Sequence, residues 1–381
     1  MSVSNKTKRT NGRRHGRGVA TLLAVAALLG AQPVCAADQA GDKKDAPPPK
    51  PIPSVMAPLA RYDLLLDVDK VGDDHYVAVG ARGVIIRSSD GTHWQQVQTP
   101  VQAALTAVDF VDENHGWAVG YAATILATTD GGATWTLQKW APELQNQFLD
   151  VMFLNKNKGF AIGTYGMFYK THDAGRTWTK FDSRLTQRGW HLNGIVRLDD
   201  GTLVIAGETG LLVKSTDGGK RWQLLDAPYS GTYFGLAQLG PQGVLLYGLR
   251  GHAFVIDDIG TVAVLPPDTD LMYDFKKPPT MDTKESSAAA AASKDEALAN
   301  AEAKAIAKEV AKSNWQAVDN HGSILSLFGG VATADGGYVL VGRNGVIWAG
   351  DDHGPQVTQL PNPRDGSLAD VVTTPDGDLV L

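Results

Sequence analysis

The chain has 381 residues and a formal net charge of −6, and Cys35 is its single cysteine. Residues 1–37 contain six Lys or Arg and no acidic residue, so the chain without them carries a charge of −12. A chain this acidic is poorly matched to the phosphates of nucleic acid, which argues against a nucleic-acid partner. Loss of Cys35 with those residues would also exclude disulfides, thiolate metal sites and a cysteine nucleophile.

Residues 1–37 have the organisation of a signal peptide. A basic stretch up to Arg17 is followed by an apolar run over 18–31 and by small residues over 34–37. The run is too short to span a bilayer comfortably. We therefore expect an exported, periplasmic protein that is soluble after cleavage and at most peripheral to a membrane. Two alternatives stay open, a lipoprotein anchor at Cys35 and a twin-arginine signal at Arg13-Arg14.

Residues 38–61 are rich in proline and charge, which is typical of an extended tether. Beyond it, four phrases that each end in tryptophan recur along the chain. They are SSDGTHW (88–94), TTDGGATW (128–135), THDAGRTW (171–178) and STDGGKRW (215–222). The tryptophans are 41, 43 and 44 residues apart, a period that fits a unit of four short strands. The pattern predicts an all-β propeller over 62–381.

A second pattern, a G-x-x-G hairpin between two apolar segments, lies upstream of each phrase. Its glycines supply the positive φ that tight turns require. The hairpins are Gly80–Gly83, Gly163–Gly166, Gly207–Gly210, Gly248–Gly251 and Gly342–Gly345, and the second unit has Gly120-Tyr-Ala-Ala123.

First strands are predicted to start near residues 62, 105, 148, 192, 233, 325 and 368, which gives seven four-stranded blades. Only two strands of the last unit are visible before Leu381. Closed propellers complete such a blade with a strand from the other terminus, and Pro51–Pro58 is the nearest candidate. A six-bladed ring with a loose C-terminal hairpin is the alternative.

Residues 266–313 interrupt the repeat between the fifth and sixth units. Their Ala-rich part, 286–312, has interleaved Glu and Lys, a composition that favours helix. Its few apolar residues form no strong stripe. The segment is interpreted as a solvated helical insertion or loop, or alternatively as a helix that covers one face of the ring or docks a partner.

The tryptophan phrases are predicted to be structural turns. An aspartate in such a turn accepts hydrogen bonds from backbone N–H groups further along, and the tryptophan packs beside a neighbouring strand. The residues in these roles are Asp90, Trp94, Asp130, Trp135, Asp173, Trp178, Asp217 and Trp222.

Topology indicates where a partner would bind. The turn between the second and third strands of a blade lies on the same face as the link to the next blade, so the G-x-x-G tips and the links share one surface. Exposed arginines and aromatic residues are typical of binding surfaces. Candidates are Arg82, Tyr121, Tyr165, Trp190, His191, Glu208, Tyr233, Arg250, His321 and Arg343.

Three of those tips carry arginine, namely Arg82, Arg250 and Arg343 in units one, five and six. In a closed seven-fold ring these units are consecutive through the seventh. The face would therefore present a basic sector to an acidic segment of a partner, unless the arginines are only the ordinary content of exposed turns.

The phrases are Asp-boxes, and the fuller unit LTAVDFVDENHGWAVGYAATILATTDGGATW (105–135) resembles the photosystem II stability and assembly factor family of propellers. The resemblance implies a secreted or lumenal seven-bladed propeller that has no enzymatic activity and aids assembly or stability of a membrane protein complex. We also expect a monomer without cofactor. The Ala-rich insertion and the shortened last blade depart from that family, so a role in photosynthesis itself stays open.

Sialidases also carry Asp-boxes and provide the alternative, a glycosidase or carbohydrate-binding propeller. Their usual Arg-Ile-Pro motif is missing here. The histidines lie about one per unit, without metal-ligand spacing. We therefore predict no catalytic residue, no metal and no cofactor.

Overall fold

The structure, a computed structural model, describes residues 50–72, 75–266, 304–351, 354–362, 366–374 and 378–381. All of them belong to one compact unit, Lys50–Leu381. The predicted signal peptide, the first half of the tether and most of the insertion lie outside the described residues. No helix among the described residues is long and apolar enough to span a bilayer.

Six antiparallel sheets of four strands follow one another along the described chain, and each is one blade of a propeller. Blade 1 contains β1 (Leu65–Val71), β2 (His75–Gly80), β3 (Ile85–Ser88) and β4 (Trp94–Val97). Blade 2 contains β5 (Leu105–Phe110), β6 (Gly116–Gly120), β7 (Thr124–Thr128) and β8 (Thr136–Lys139). Blade 3 contains β9 (Phe148–Phe153), β10 (Gly159–Gly163), β11 (Phe168–Thr171) and β12 (Thr179–Lys180).

The second half of the ring repeats this arrangement. Blade 4 contains β13 (Leu192–Arg197), β14 (Leu203–Gly207), β15 (Leu212–Ser215) and β16 (Gln223–Leu224). Blade 5 contains β17 (Tyr233–Leu239), β18 (Gly243–Gly248), β19 (Ala253–Ile256) and β20 (Gln316–Ala317). Blade 6 contains β21 (Leu327–Ala332), β22 (Tyr338–Gly342), β23 (Ile347–Gly350) and β24 (Val357–Gln359). A short helix, α1 (Arg184–Gln187), lies in the link between blades 3 and 4.

The prediction of seven four-stranded blades is wrong, because the described chain forms six. The seventh place holds a two-stranded sheet, β25 (Val372–Thr373) and β26 (Leu379–Val380). The first strand of each blade packs against that of the next, and β25 packs against both β21 and β1. An apolar cluster joins this sheet to blade 6 through Val371, Leu379 and Val341.

Pro51–Pro58 does not complete the seventh sheet. No described residue of this segment is in a strand. Its backbone instead bonds to the outer edge of blade 1, where Ser54 N donates to Thr99 O at 2.9 Å and Ala57 N donates to Gln96 Oε1 at 2.7 Å. Prolines lack the N–H groups that a ladder strand needs, which explains why scattered contacts replace strand pairing.

The core consists of apolar layers between neighbouring blades rather than one central core. Strand β6 (GWAVG) is buried along its whole length. One cluster combines Val77 and Ile85 of blade 1 with Leu105, Leu126 and Trp135 of blade 2. Sheets that are buried on both faces need continuous apolar strands, and this is why the middle strands of each unit lack alternation.

The predicted place of the insertion, between units five and six, is wrong. It lies within blade 5, in the hairpin between β19 and β20, which is the Asp-box position of that blade. Residues 304–310 of it are helical and form helix α2. Ile306 of α2 is buried in the cluster between blades 4 and 5, together with Trp315. On the other side of the insertion, Leu265 N donates to Leu224 O at the outer edge of blade 4. The described part of the insertion therefore packs on the ring.

Candidate binding face

The G-x-x-G tips form single tight turns in which the third residue is left-handed although it is not glycine. Its φ is 56° at Arg82, 53° at Tyr165 and 57° at Arg250. A positive φ is uncommon for bulky residues and is often found at functional sites. The last position of the turn requires glycine, because a Cβ at Gly83 would lie 2.0 Å from Val101 O.

Hydrogen bonds attach each tip to the residue that precedes the first strand of its own blade. The donors and acceptors are Ala81 N to Leu64 O, Tyr121 N to Ala104 O, Thr164 N to Gln147 O, Glu208 N to His191 O, Leu249 N to Thr232 O and Arg343 N to Ser326 O. Several tips also bond to the next link, as in Gly166 N to Trp190 O. Tips and links thus form one continuous surface, which we call the tip face.

The structure places most of the predicted residues on the tip face. Tyr121 and Tyr165 are 49% and 66% exposed, and Arg82, Arg250 and Arg343 are exposed as well.

Links contribute half-buried aromatic residues to the same face. The ring of His191 contacts that of Tyr165 at 5.0 Å, and the guanidinium of Arg188 lies 4.9 Å above the ring of Trp190. His191 N donates to Glu208 Oε2, and His321 is exposed in the link that precedes blade 6.

The prediction that Tyr233 contributes to the binding face is wrong, because Tyr233 is fully buried and unavailable to a partner. Its hydroxyl donates to Tyr229 O and accepts from Tyr229 N, both at 3.1 Å. Tyr233 occupies the first position of an inner strand, and the residues at that position in other blades, such as Leu105 and Phe148, are also fully buried.

The arginines of the predicted basic sector differ in their surroundings. Arg82 forms an ion pair with Asp63 of its own blade, so part of its charge is already matched. Arg250 and Arg343 belong to adjacent blades and converge on one residue, Ser326. Arg250 N donates to its Oγ at 3.3 Å and Arg343 N donates to its carbonyl oxygen at 2.9 Å.

Five aspartates in or just before the first strands link neighbouring blades, and they were not predicted from the sequence. Each accepts a backbone N–H from the next blade around the ring. The pairs are Asp370 with Val68, Asp67 with Val108, Asp69 with Phe110, Asp109 with Phe153 and Asp150 with Ile195, at 2.6–3.3 Å. These bonds connect first strands of neighbouring blades, which are not paired with each other by backbone hydrogen bonds. The signal for four of them was an aspartate at the third or fifth position of the first strands β1, β5 and β9.

The first strands pack on one another around the central channel of the ring, so we call these five groups the channel carboxyls. Burial raises the pKa of all five, and the pKa of Asp69 and that of Asp150 reach about 7. Backbone hydrogen bonds act in the opposite direction, but desolvation outweighs them. Among the described residues no group of His, Cys, Asp and Glu has an arrangement that could hold a metal ion.

The Asp-boxes lie at the opposite face, in the hairpins between third and fourth strands. In the second box, Asp130 Oδ1 accepts from Thr134 N at 2.9 Å and from the hydroxyl of Thr128 at 2.8 Å. Trp135 Nε1 donates to Gly132 O, and its ring belongs to the cluster between blades 1 and 2. This geometry suits a structural turn, and the role itself stays a prediction.

The other three boxes repeat the aspartate contacts. Asp90, Asp173 and Asp217 each accept a backbone N–H three or four residues further along. Trp178 and Trp222 join the clusters between successive blades, and Trp94 packs within blade 1.

Comparison with known proteins places this geometry in context. The family described as Photosynthesis system II assembly factor YCF48 matches residues 86–147 and 137–261. Over 153 residues the chain is 40% identical to Photosystem II assembly lipoprotein Ycf48 of Prochlorococcus marinus, covering 38% of this chain and 44% of that protein. Over 60 residues it is 37% identical to Photosystem II assembly protein Ycf48 of Thermosynechococcus vestitus, covering 16% and 17%. The chain thus spans less than half the length of these curated relatives.

A solved structure described as YCF48 bound to D1 peptide matches with a TM-score of 0.53 and 16% identity, covering 78% of this chain and 80% of that one. An identity this low supports the fold alone. The fold and the repeated boxes define an Asp-box β-propeller. Over residues 86–261 the chain is similar to the photosystem II assembly factor family of such propellers, which confirms the resemblance of its repeats.

Proposed function

We propose that this chain is an exported propeller that binds a protein segment of a membrane complex through its tip face and so aids the assembly or stability of that complex. Binding requires no covalent chemistry, and no catalytic role is assigned to any residue. The observation that carries the proposal is the composition of the tip face, where exposed tyrosines and arginines project from tips bonded to the links.

Two further points support a protein as the partner. A relative with the same fold is described as bound to a D1 peptide. Aromatic residues and arginine are also the residue types that contribute most to protein–protein binding, and rigid tips lose little conformational entropy when a partner binds.

Replacing Arg82, Arg250 and Arg343 together by alanine is expected to weaken capture of the partner about 10-fold or more, because each replacement removes a charge contact with an acidic segment. Crosslinking and pull-down from native membranes measures this, with the full chain as bait and the captured membrane protein quantified.

A charge-matched control replaces Arg176, Arg197 and Lys220, which are exposed residues near the opposite face, by alanine. It should capture the partner as well as the unchanged chain does. Equal capture by the tip-face variant, with an unchanged melting curve, would remove the basic sector from the binding site.

A further inference from the structure

The second position of every inner strand is a β-bulge. The register of pairing with the next strand skips this residue in all six blades. The residues are Leu66, Thr106, Leu149, Asn193, Phe234 and Phe328. Bulges re-aim a side chain out of the sheet, and these lie two residues after the links that the tips contact. They are therefore placed at the tip-face end of the central channel.

In two blades the bulged side chain makes a polar bond to the next blade. Thr106 Oγ1 donates to Phe148 O at 2.8 Å, and Asn193 Nδ2 donates to Tyr233 O at 2.7 Å. Between blades 5 and 6 an aromatic pair replaces such a bond, with the rings of Phe234 and Phe328 at 5.8 Å. The channel mouth is thus apolar on this side.

Part of this apolar surface is open to solvent. Phe328 is 39% exposed, and Ile324, in the link just before it, is 63% exposed. Ser326 lies between them and accepts backbone hydrogen bonds from both Arg250 and Arg343. Two arginine tips therefore flank one exposed apolar strip, which we call the blade 5–6 corner (Phe234, Arg250, Ile324, Phe328 and Arg343).

We propose that the blade 5–6 corner binds an extended protein segment in which an apolar side chain lies next to carboxylates. The apolar side chain packs on Phe328 and Ile324, and the carboxylates pair with Arg250 and Arg343. This proposal rests on the proposed function and specifies the partner segment that the tip face selects.

Charge complementarity favours this occupant over a second copy of the chain. The chain carries a net charge of −6, so two copies repel each other at long range, whereas an acidic segment is attracted locally by adjacent arginines. Apolar and charge-paired contacts also act together, because a packed apolar side chain excludes water from the neighbouring ion pairs and strengthens them.

Four synthetic peptides separate the two components. The first carries one phenylalanine followed by two glutamates in a Gly/Ser background. The second replaces phenylalanine by serine, the third replaces both glutamates by glutamine, and the fourth carries both changes. Fluorescence anisotropy with the full chain should show that the first peptide binds about 10-fold tighter than the second or the third.

Variants of the chain assign that preference to residues. Phe328→Ala should abolish the advantage of phenylalanine but keep that of glutamate, and Ile324→Ser should act in the same direction if Phe328→Ala destabilises the fold. Arg343→Ala should reduce only the advantage of glutamate. The controls Val264→Ala and Arg176→Ala, an exposed apolar residue and an exposed arginine elsewhere, should change neither.

Equal binding of all four peptides overturns the proposal, and so does equal loss in the control variants. Light scattering that shows a dimer broken by Phe328→Ala would assign the corner to a second copy instead. Pull-down from membranes distinguishes a failure of this binding site from a failure of the proposed function. Full capture by Phe328→Ala leaves the proposed function standing without this site, whereas peptide selectivity without any membrane partner leaves the site standing without that function.

Discussion

Replacing Trp135 by alanine is expected to lower the free energy of unfolding by about 3–5 kcal/mol. The side chain is only 7% exposed, and its ring meets that of Phe110 edge-on at 6.1 Å. It also lies in the apolar cluster that joins blades 1 and 2, so its loss opens a cavity between blades. Chemical denaturation followed by fluorescence and circular dichroism measures the change.

Trp94→Ala is the matched comparison, because Trp94 holds the same place in the first Asp-box but is only partly buried. Its loss should cost clearly less stability. The structural role of the boxes would be contradicted if Trp135→Ala or Asp130→Ala abolished partner binding while leaving the melting curve unchanged.

The stability of the propeller is expected to decline as pH rises from about 4 to about 7. Burial raises the pKa of Asp69 and of Asp150 to about 7 in the folded chain, against 3.8 for an ordinary aspartate. Such a carboxyl holds its proton when folded and releases it when unfolded across this window. Stability from the protonated form is complete below the unfolded pKa and is lost as pH rises through the folded pKa.

The free energy of unfolding should therefore fall less between pH 4 and pH 8 in Asp69→Asn and in Asp150→Asn. Each change should remove up to about 4 kcal/mol of that loss. Asparagine keeps an oxygen to accept the N–H of Phe110 or Ile195 but carries no charge. Asp182→Asn, an exposed carboxyl outside the channel, should leave the profile unchanged. Melting midpoints measured between pH 4 and pH 9 check the prediction, and a level profile in the unchanged chain would contradict it.

The opposite trend is expected at lower pH. The backbone N–H of His93 and that of Arg221 hold the pKa of Asp90 and that of Asp217 below the ordinary value. Stability from these carboxylates is present above the unfolded pKa and is lost as pH falls further. The propeller should therefore be most stable in weakly acidic solution.

The repeat was the most readable part of the sequence. Predicted first strands near 105, 148, 192 and 233 coincide with Leu105, Phe148, Leu192 and Tyr233, because apolar strands and glycine turns are local signals. The position of Pro51–Pro58 could not be predicted in this way. Ser54 and Ala57 bond to Thr99 O and to the side chain of Gln96, which lie in another segment, and the local pattern of prolines does not indicate these partners.

The candidate site was predicted only in part. Topology identified the tip face and the exposed Tyr165. It also predicted that Tyr233, which follows a link, is exposed, but the structure buries this residue. Aligning first strands would have corrected this, since large apolar residues fill that position in other blades. The same alignment would have revealed Asp67 and Asp150 at one shared position.

Site-specific photo-crosslinking tests the central claim, that the tip face binds a membrane protein, most directly. A photoreactive amino acid is placed at Tyr165 or Asn344 on the tip face, and at Lys220 near the opposite face, and each chain is illuminated on native membranes. The account predicts one membrane-protein adduct from the two tip-face positions and none from Lys220. An adduct from Lys220 alone, or none from the tip face, would contradict it.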